Sequence, residues 1–344
     1  RCNLALTKLT SIGESVASKL LSFLFGRVYQ TLSVQDATEN KYASLGDVVY
    51  LKERELAEFR YTTGQIANGI DILQCINGLT LSIVPKTEMD IRSFGAIGDD
   101  TEDCSSHINA MNAYSEIEVL LVPAGLVFRY NSRITFDRDI TIKGTGTLNG
   151  VGGDFLITGS MESRGNITVA ATAGDTSITL SDVSDISNNS LLILHDSTDF
   201  SFSTHRSTYQ AGEFAVVREV IGNEVHLTDK LETSFDGVIT DKVYLVNPTK
   251  ASVVDTFFTG TTLYPLSLKL CRGTIVDNIN CIGGSSGAFS IDQCFNTVIS
   301  NSEFLHKGAV IGLNYGLAVI NSQDTTVYDS HIYGTRHGIA SGSG

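Results

Sequence analysis

Near the end of the sequence, three acids and a histidine stand within about 40 positions of one another: Asp292, Glu303, Asp324 and His331. Cleavage of a glycosidic bond needs two carboxyl groups. One is held protonated and donates to the leaving oxygen, and the other attacks or activates water, at a separation of roughly 5–10 Å. On that chemistry Glu303, Asp292 and Asp324 are the candidate catalytic residues, with His331 as a neighbour able to tune a carboxyl. His331, Tyr333, Tyr315 and Lys269 form the candidate substrate-binding set, because rings stack on sugars and polar tips bond to them. Tyr264 and Tyr328 belong to the same class. An ordinary alternative stands beside each: an exposed acid is usually just solvated, and Asp292 with Lys269 makes a plain ion pair. A lyase would instead need a base such as Lys, Arg, His or Tyr and an acidic sugar. No spacing here gives an oxygen cluster for Ca²⁺ or a Cys/His metal set, so no metal and no cofactor is expected.

What would position these residues is an internal repeat over the last 80 positions. One unit runs from Leu266 to Leu270 and on through Thr274 to Ile282. The next runs from Phe289 to Gln293 and Thr297 to Phe304, and a third from Leu317 to Ile320 and Thr325 to Ile332. Val276, Ile299 and Val327 fall in one column, and Cys281, Phe304 and Ile332 in another. Asn278, Asn301 and Asp329 make a polar column between them, read as a structural turn. In a parallel solenoid, rungs stack at about 4.8 Å, so like residues pile into ladders. Residues next to the inward ones then point out: Lys269 with Asp292, and Asn280 with Glu303 and His331. The longer second unit carries a loop around Lys307 to Tyr315.

Composition agrees with an ordered, turn-rich β protein: 42% hydrophobic and 18% charged residues, 32 Gly and no Trp in 344 residues. A net charge of -14 argues against nucleic acid as a partner. It also favours a neutral or weakly charged glycan over an anionic one, unless the binding groove is locally different. Cys2, Cys75, Cys104, Cys271, Cys281 and Cys294 form no CxxC and are read as free, buried thiols. The apolar run Leu20 to Phe25 is too short to span a bilayer. The sequence starts at Arg1 and stops on Gly-Ser-Gly, which reads as a piece of a longer chain.

Leu9, Ile12, Val16, Leu20 and Phe23 recur at helical steps, and Ser11 with Glu14 resembles a capping box, which predicts a helix over 4–28. That helix serves either as a trimer neck or virion anchor, or as an ordinary amphipathic helix. Tyr42 to Leu51 and Ala57 to Tyr61 read as strands of a small β-knob, with Gly64 and Gly69 at turns. Short alternating strands recur from Asn166 to Val246, with a tight hairpin at Ile221–Glu224. Between them, Asp196 to Gly212 is a long polar loop containing His205, Arg206 and Tyr209; with Glu213 it could also line a site.

The stretch MDIRSFGAIGDDTED from Met89 to Asp103 is followed by a short helix carrying Ile108 and Met111. After it come the strand and turn VLLVPAG, 119–125, and ITIKGTGTL, 140–148. In order and spacing these roughly 60 residues resemble the entry of the pectate-lyase-like superfamily, including phage tailspikes and depolymerases. Asp100 and Glu102-Asp103-Cys104 depart from that pattern; Asp99, Asp100 and Asp103 are read as turn formers and a helix cap.

The resemblance implies a mainly β chain: a right-handed parallel β-helix with an N-terminal helix (1–30), a β-knob (31–87), an entry with capping helix (88–160), an inserted β-domain (161–250) and rungs (251–344). It implies a phage tailspike, acting at the bacterial outer surface, that binds O-antigen or capsule polysaccharide and cleaves it as an endo-glycosidase. It further implies a homotrimer held to tail or baseplate proteins through the N-terminal region. A non-catalytic receptor-binding or structural spike and a polysaccharide lyase are the alternatives.

Overall fold

The computed structural model describes residues 31–199, 210–237, 242–306, 314–334 and 336–342. The helix expected over 4–28, Cys2, and the loop residues His205, Arg206 and Tyr209 lie outside the described residues. The chain divides into two compact units, Arg1–Leu121 and Val122–Gly344.

In the first unit a short helix, Val34–Thr38, is capped by the Ser33 hydroxyl, which accepts from the Asp36 amide at 3.0 Å. An antiparallel sheet follows in the order Val48–Leu51, Ala57–Thr62, Thr80–Ile83, Ile72–Gln74. Its period-2 alternation buries Val49, Leu51, Phe59, Tyr61 and Leu81 on one side. Glu88–Asp90 then pairs in parallel with Val119–Leu121. Between them Asp99 accepts from the Thr101 and Glu102 amides at 2.9 and 3.1 Å, and Asp103 accepts from the Ser105 amide at 3.0 Å. Those acids hold the turn and the start of the helix. The helix is shorter than its apolar pattern extends. It spans Ser105–Ala110 and tightens into a 3₁₀ turn at Met111–Ala113, with Ile108 and Met111 fully buried.

His107 on that helix gives the first unit a pH dependence. Its Nδ1 is buried with no hydrogen-bond partner. Burial first, and Arg54 second, hold the imidazole below its ordinary value of 6.5, against the pull of Glu102 and Asp103. The unfolded chain therefore takes up the proton first, and stability is lost as the pH falls below 6.5. Unfolding followed from pH 7.5 to pH 5 should show a steeper loss for the wild type than for His107→Gln. Equal slopes would mean that His107 stays out of the balance.

The second unit is a parallel β-helix with three faces. The first face has strands Ile140–Lys143, Ala251–Val254, Ile275–Asp277, Phe295–Ser300 and Gln323–Tyr328. The second has Val127–Tyr130, Thr147–Gly150, Phe257–Gly260, Asn280–Gly283, Glu303–His306 and His331–Gly334. The third has Ile134–Phe136, Phe155–Thr158, Leu266–Lys269, Gly287–Asp292, Tyr315–Ile320 and His337–Gly342.

The columns read from the repeat are the observed registers. Val276 sits over Ile299 and Ile299 over Val327; Cys281 over Phe304 and Phe304 over Ile332. Part of the interior is aromatic: Phe155 stacks on Phe136 at 5.7 Å and meets Phe258 edge-on at 5.6 Å, and Phe289 lies 5.1 Å from Phe304. Cys75, Cys104, Cys271, Cys281 and Cys294 are free and buried.

The polar column has a backbone cause. Asp255, Asn278, Asn301 and Asp329 all adopt left-handed φ, at 57°, 51°, 48° and 48°, where the chain turns from first face to second. Asn and Asp tolerate that conformation best among residues with a side chain. The Asn278 amide donates to Asp255 at 2.6 Å, whereas Asn301 donates to Asp277 at 2.8 Å. The column is thus selected by backbone conformation, and its side chains bond to acids at two different positions of the rungs below.

Between the strands Phe155–Thr158 and Ala251–Val254 the chain leaves the β-helix and builds a six-stranded antiparallel sheet. Its order is Ser160–Asn166, Lys242–Asn247, Leu191–Asp199, Gln210–Ile221, Glu224–Leu227, Ser177–Thr179. The segment read as a loop from Asp196 to Gly212 is partly strand: both arms continue the ladder, and 200–209 lie outside the described residues. One side of this domain closes its own core around Leu192, Val217, Phe235 and Val243. The other side places Leu191, Phe214 and Val246 against Leu270 and Phe295 of the β-helix. Arg272 clamps the contact by donating to the Asn189 carbonyl and side chain at 2.8 and 2.9 Å.

Candidate functional site

Parallel register puts every second side chain of each strand outside, so the sites are ladders. On the second face one outward ladder is Phe257, Asn280, Glu303, His331, and the next is Thr259, Ile282, Leu305, Tyr333. Nδ1 of His331 lies 3.2 Å from Oε1 of Glu303. Phe257, Ile282 and Tyr333 are each about two-fifths exposed or more, so this surface mixes apolar rings, an amide and an acid–imidazole pair.

Asp292 is on the third face, beside Lys269, whose ammonium is 3.7 Å away. Its Oδ1 is buried without a hydrogen-bond partner. Burial raises the Asp292 carboxyl above its ordinary range, and Lys269 and Asn321 only partly offset this. A carboxyl whose folded value is raised contributes stability while protonated and loses it as the pH rises through that value. At pH 7 the Asp292→Asn variant is therefore expected to unfold at the same denaturant concentration as wild type or a slightly higher one. A marked drop in midpoint would mean that the ion pair with Lys269 outweighs the burial.

Asp324 lies on the first face in a column with Gly273 and Asn296. All three have left-handed φ, at 55°, 66° and 57° respectively. Gly, Asn and Asp are the types that conformation selects, so the backbone by itself accounts for an Asp at 324. The three candidate acids thus stand on three different faces. The acid nearest to Glu303 in register is Asp329, two residues before His331 in the turn column. Glu213 is turned inward: its carboxylate accepts from the Glu232 and Thr233 amides at 2.8 and 3.4 Å within the inserted domain, and burial raises its pKa.

At the corner between second and third faces, Tyr315 stacks on His337 with centroids 6.0 Å apart and planes within 6°. Arg336 donates to the Tyr315 hydroxyl at 3.2 Å. His337 and Arg336 escaped sequence reasoning because the strand His337–Gly342 is rich in small residues and shows little apolar alternation. Extending the repeat two residues ahead of Leu266, Phe289 and Leu317 gives Tyr264, Gly287 and Tyr315, a column whose next member is His337. No group of three or more His, Cys, Asp or Glu that could hold a metal occurs among the described residues.

Two family models match the chain. One, the tailspike protein-like Ig-like domain, covers 156–246, the inserted domain; the other, Gp49 pectin lyase-like, covers 282–344, the final rungs. Their matched segments and the β-helix place the chain with the tailspike and pectate-lyase-like superfamily in fold. Among solved structures, the gp61 tailspike of Pseudomonas phage phi297 aligns with a TM-score of 0.66 at 19% identity, over 74% of this chain and 48% of that one. The gp49 tailspike of Pseudomonas phage LKA1 gives 0.66 at 23%, over 74% and 48%. The Gp54 tailspike of Acinetobacter baumannii bacteriophage AP22, solved in complex with A. baumannii capsular saccharide, gives 0.65 at 23%, over 71% and 42%. This chain spans less than half the length of each of these tailspikes. No curated protein matches it.

Proposed function

We propose that the protein is a phage tailspike that binds bacterial surface polysaccharide, O-antigen or capsule, for host attachment and cleaves it as an endo-glycosidase. The observation that carries the catalytic part is the Glu303–His331 pair, 3.2 Å apart on an outward ladder between exposed rings. In this reading Glu303 donates a proton to the glycosidic oxygen or takes one from water. Asp329, at the same corner, is taken as the second carboxyl on its position beside Glu303 alone, since its left-handed backbone accounts for an Asp there just as it does at Asp324. Asp292 and Lys269, on another face, contact the polymer away from the scissile bond, with Tyr315 and Tyr333 as stacking residues. Asp324 has no part in the chemistry. The domain limits given above, the homotrimer, the attachment to tail or baseplate proteins through the N-terminal region, and action at the bacterial outer surface belong to the same proposal.

A second reading, a binding spike without catalysis, is favoured by the spread of Asp292, Glu303 and Asp324 over three faces. The test is incubation of the full-length protein with purified lipopolysaccharide and capsule from a panel of Gram-negative strains, with products read by mass spectrometry. Fragments of defined repeat length that have gained water are expected. Unsaturated ends would replace the hydrolase by a lyase, and binding with no fragments on any strain would leave only the binding spike.

A further inference from the structure

We propose that the inserted domain carries a second sugar-binding site, separate from the ladders of the β-helix, in a cavity of about 390 Å³ that takes one uncharged unit of the polysaccharide. This rests on the reading that the protein binds polysaccharide. The cavity opens where the six-stranded sheet closes on itself. Its first and last strands meet through the Ile167–Leu180 bridge. There the Thr168 amide donates to the Thr179 carbonyl at 2.8 Å, and the Ser181 amide to the Asn166 carbonyl at 2.9 Å. A step further on the two chains part. Ala171 exchanges two bonds of 2.8 Å with Phe235 instead, and the Gly174 amide donates to the Leu231 carbonyl at 2.8 Å. No backbone bond joins Ala170 to Ser177. The space left between the chains is lined by residues 169–171 and 174–179.

The opening is held by its own turn. Asp175 accepts from the Thr172 amide and hydroxyl at 2.7 and 3.1 Å, and the Ala173 amide donates to the Ser234 hydroxyl at 2.9 Å. In an antiparallel ladder, alternate residues bond to opposite sides. The Leu227 amide donates to the Thr176 carbonyl at 2.8 Å, and the Leu180 amide to the Asn223 carbonyl at 3.0 Å, so even positions of this strand bond toward Glu224–Leu227. Ser177 therefore turns its N–H and C=O the other way, into the cavity. The lining residues Thr176, Ser177 and Thr179 add hydroxyls. Sugar hydroxyls both donate and accept, which matches such a set. A single open backbone pair is too little for an added peptide strand, whose affinity comes from a run of main-chain bonds. Val169, 56% exposed at the rim, offers apolar contact to the C–H face of a sugar ring. Asp175 is the one ionisable residue in the lining, and no cation is there to take an acid group, so the unit is a neutral one. The volume lies at the small end of ligand sites, roughly 300–1,000 Å³, which suits one unit instead of a stretch of chain. A polymer held here and on the β-helix is bound at two points, so each contact strengthens the other.

The test uses the full-length protein and the polysaccharide that binds it best from a panel of capsules and O-antigens. Hydrogen–deuterium exchange read by mass spectrometry is expected to show added protection within 169–179 when the polymer is bound. Neutral monosaccharides from its acid hydrolysate, added in excess, should reverse that protection. Ser177→Pro removes an N–H that takes no part in the ladder to Glu224–Leu227, and it should weaken binding of the long polymer about 3–10-fold, the scale of a lost hydrogen bond. Ser177→Tyr, which fills the cavity, should weaken it by a similar factor. The exchange measurement on the wild type stands even where a variant fails to fold. No added protection at 169–179, reversal by acidic sugars alone, or equal binding by wild type and both variants would overturn the cavity site and leave polysaccharide binding intact. Failure to bind any polymer in the panel would overturn both.

Discussion

Glu303→Gln is expected to lower the rate of polysaccharide cleavage by about 10²–10⁴, the contribution of a positioned proton-transfer group, with little change in binding. The amide keeps the size and the polar contacts of the side chain and removes only its capacity to exchange a proton. The Glu303 side chain is 40% exposed and its ion-pair partner His331 72%, so the substitution should cost little stability. Asp329→Asn is the matching test for the second carboxyl. The repeat itself places Asn at the equivalent positions 278 and 301 with the same left-handed φ, so the backbone loses nothing by it. A loss of similar size in that variant, with cleavage retained in Asp292→Asn, would locate the chemistry at the corner of first and second faces. Initial rates on a defined oligosaccharide, beside binding to the intact polymer, separate the two effects. Retention of full activity in Glu303→Gln would remove the site from this ladder altogether.

The rungs were legible because stacking forces equivalent residues into contact. Once Val276 is inward, the residues one rung away inherit its environment, and the observed pairs Val276–Ile299 and Ile299–Val327 follow. Turn chemistry was legible for the same reason: an Asn or Asp recurring at one register position reports left-handed backbone. The inserted domain was readable as strands but not as a docked body. Leu191, Phe214 and Val246 meet Leu270 and Phe295 across sequence gaps of up to about a hundred residues, and no local pattern encodes such a contact. The helix after Asp103 ended early because Met111 is buried in a 3₁₀ turn, which an apolar period cannot tell from another helical turn.

The site was legible only in part. Sequence pattern says whether a residue points out, but not which of three faces it is on, because loop lengths decide where each strand begins. Asp292 and Glu303 are read as outward in two separate columns and Asp324 is given no column, and the structure puts the three on three different faces. Asp324 shows the second difficulty. An acid chosen by backbone conformation looks like an acid chosen for chemistry until its φ of 55° is seen beside Gly273 and Asn296. Arg336 and His337 were hidden by the opposite problem, a strand of small residues that carries little apolar signal.

The strongest test of the solenoid register is a pair of adjacent phenylalanines with opposite fates. Phe258→Ala is expected to destabilise the second unit by about 3–5 kcal/mol, and Phe257→Ala by about 0.5 kcal/mol or less. Phe258 is fully buried in the column of Leu148 and Cys281, and its ring meets Phe155 edge-on at 5.6 Å. Truncation leaves a cavity that the rungs above and below cannot close, because their strand spacing is fixed by backbone hydrogen bonds at about 4.8 Å. Phe257 points the other way, is 39% exposed, and loses only partial contact with its ladder neighbours. Urea titration of both variants, followed by far-UV circular dichroism, measures the difference directly. A slip of one residue in this strand would exchange the two results, since side chains in a strand alternate sides at every step. The same pair separates stability from recognition: Phe257 lies on the outward ladder of Glu303, so its truncation should weaken polysaccharide binding while leaving the unfolding midpoint in place.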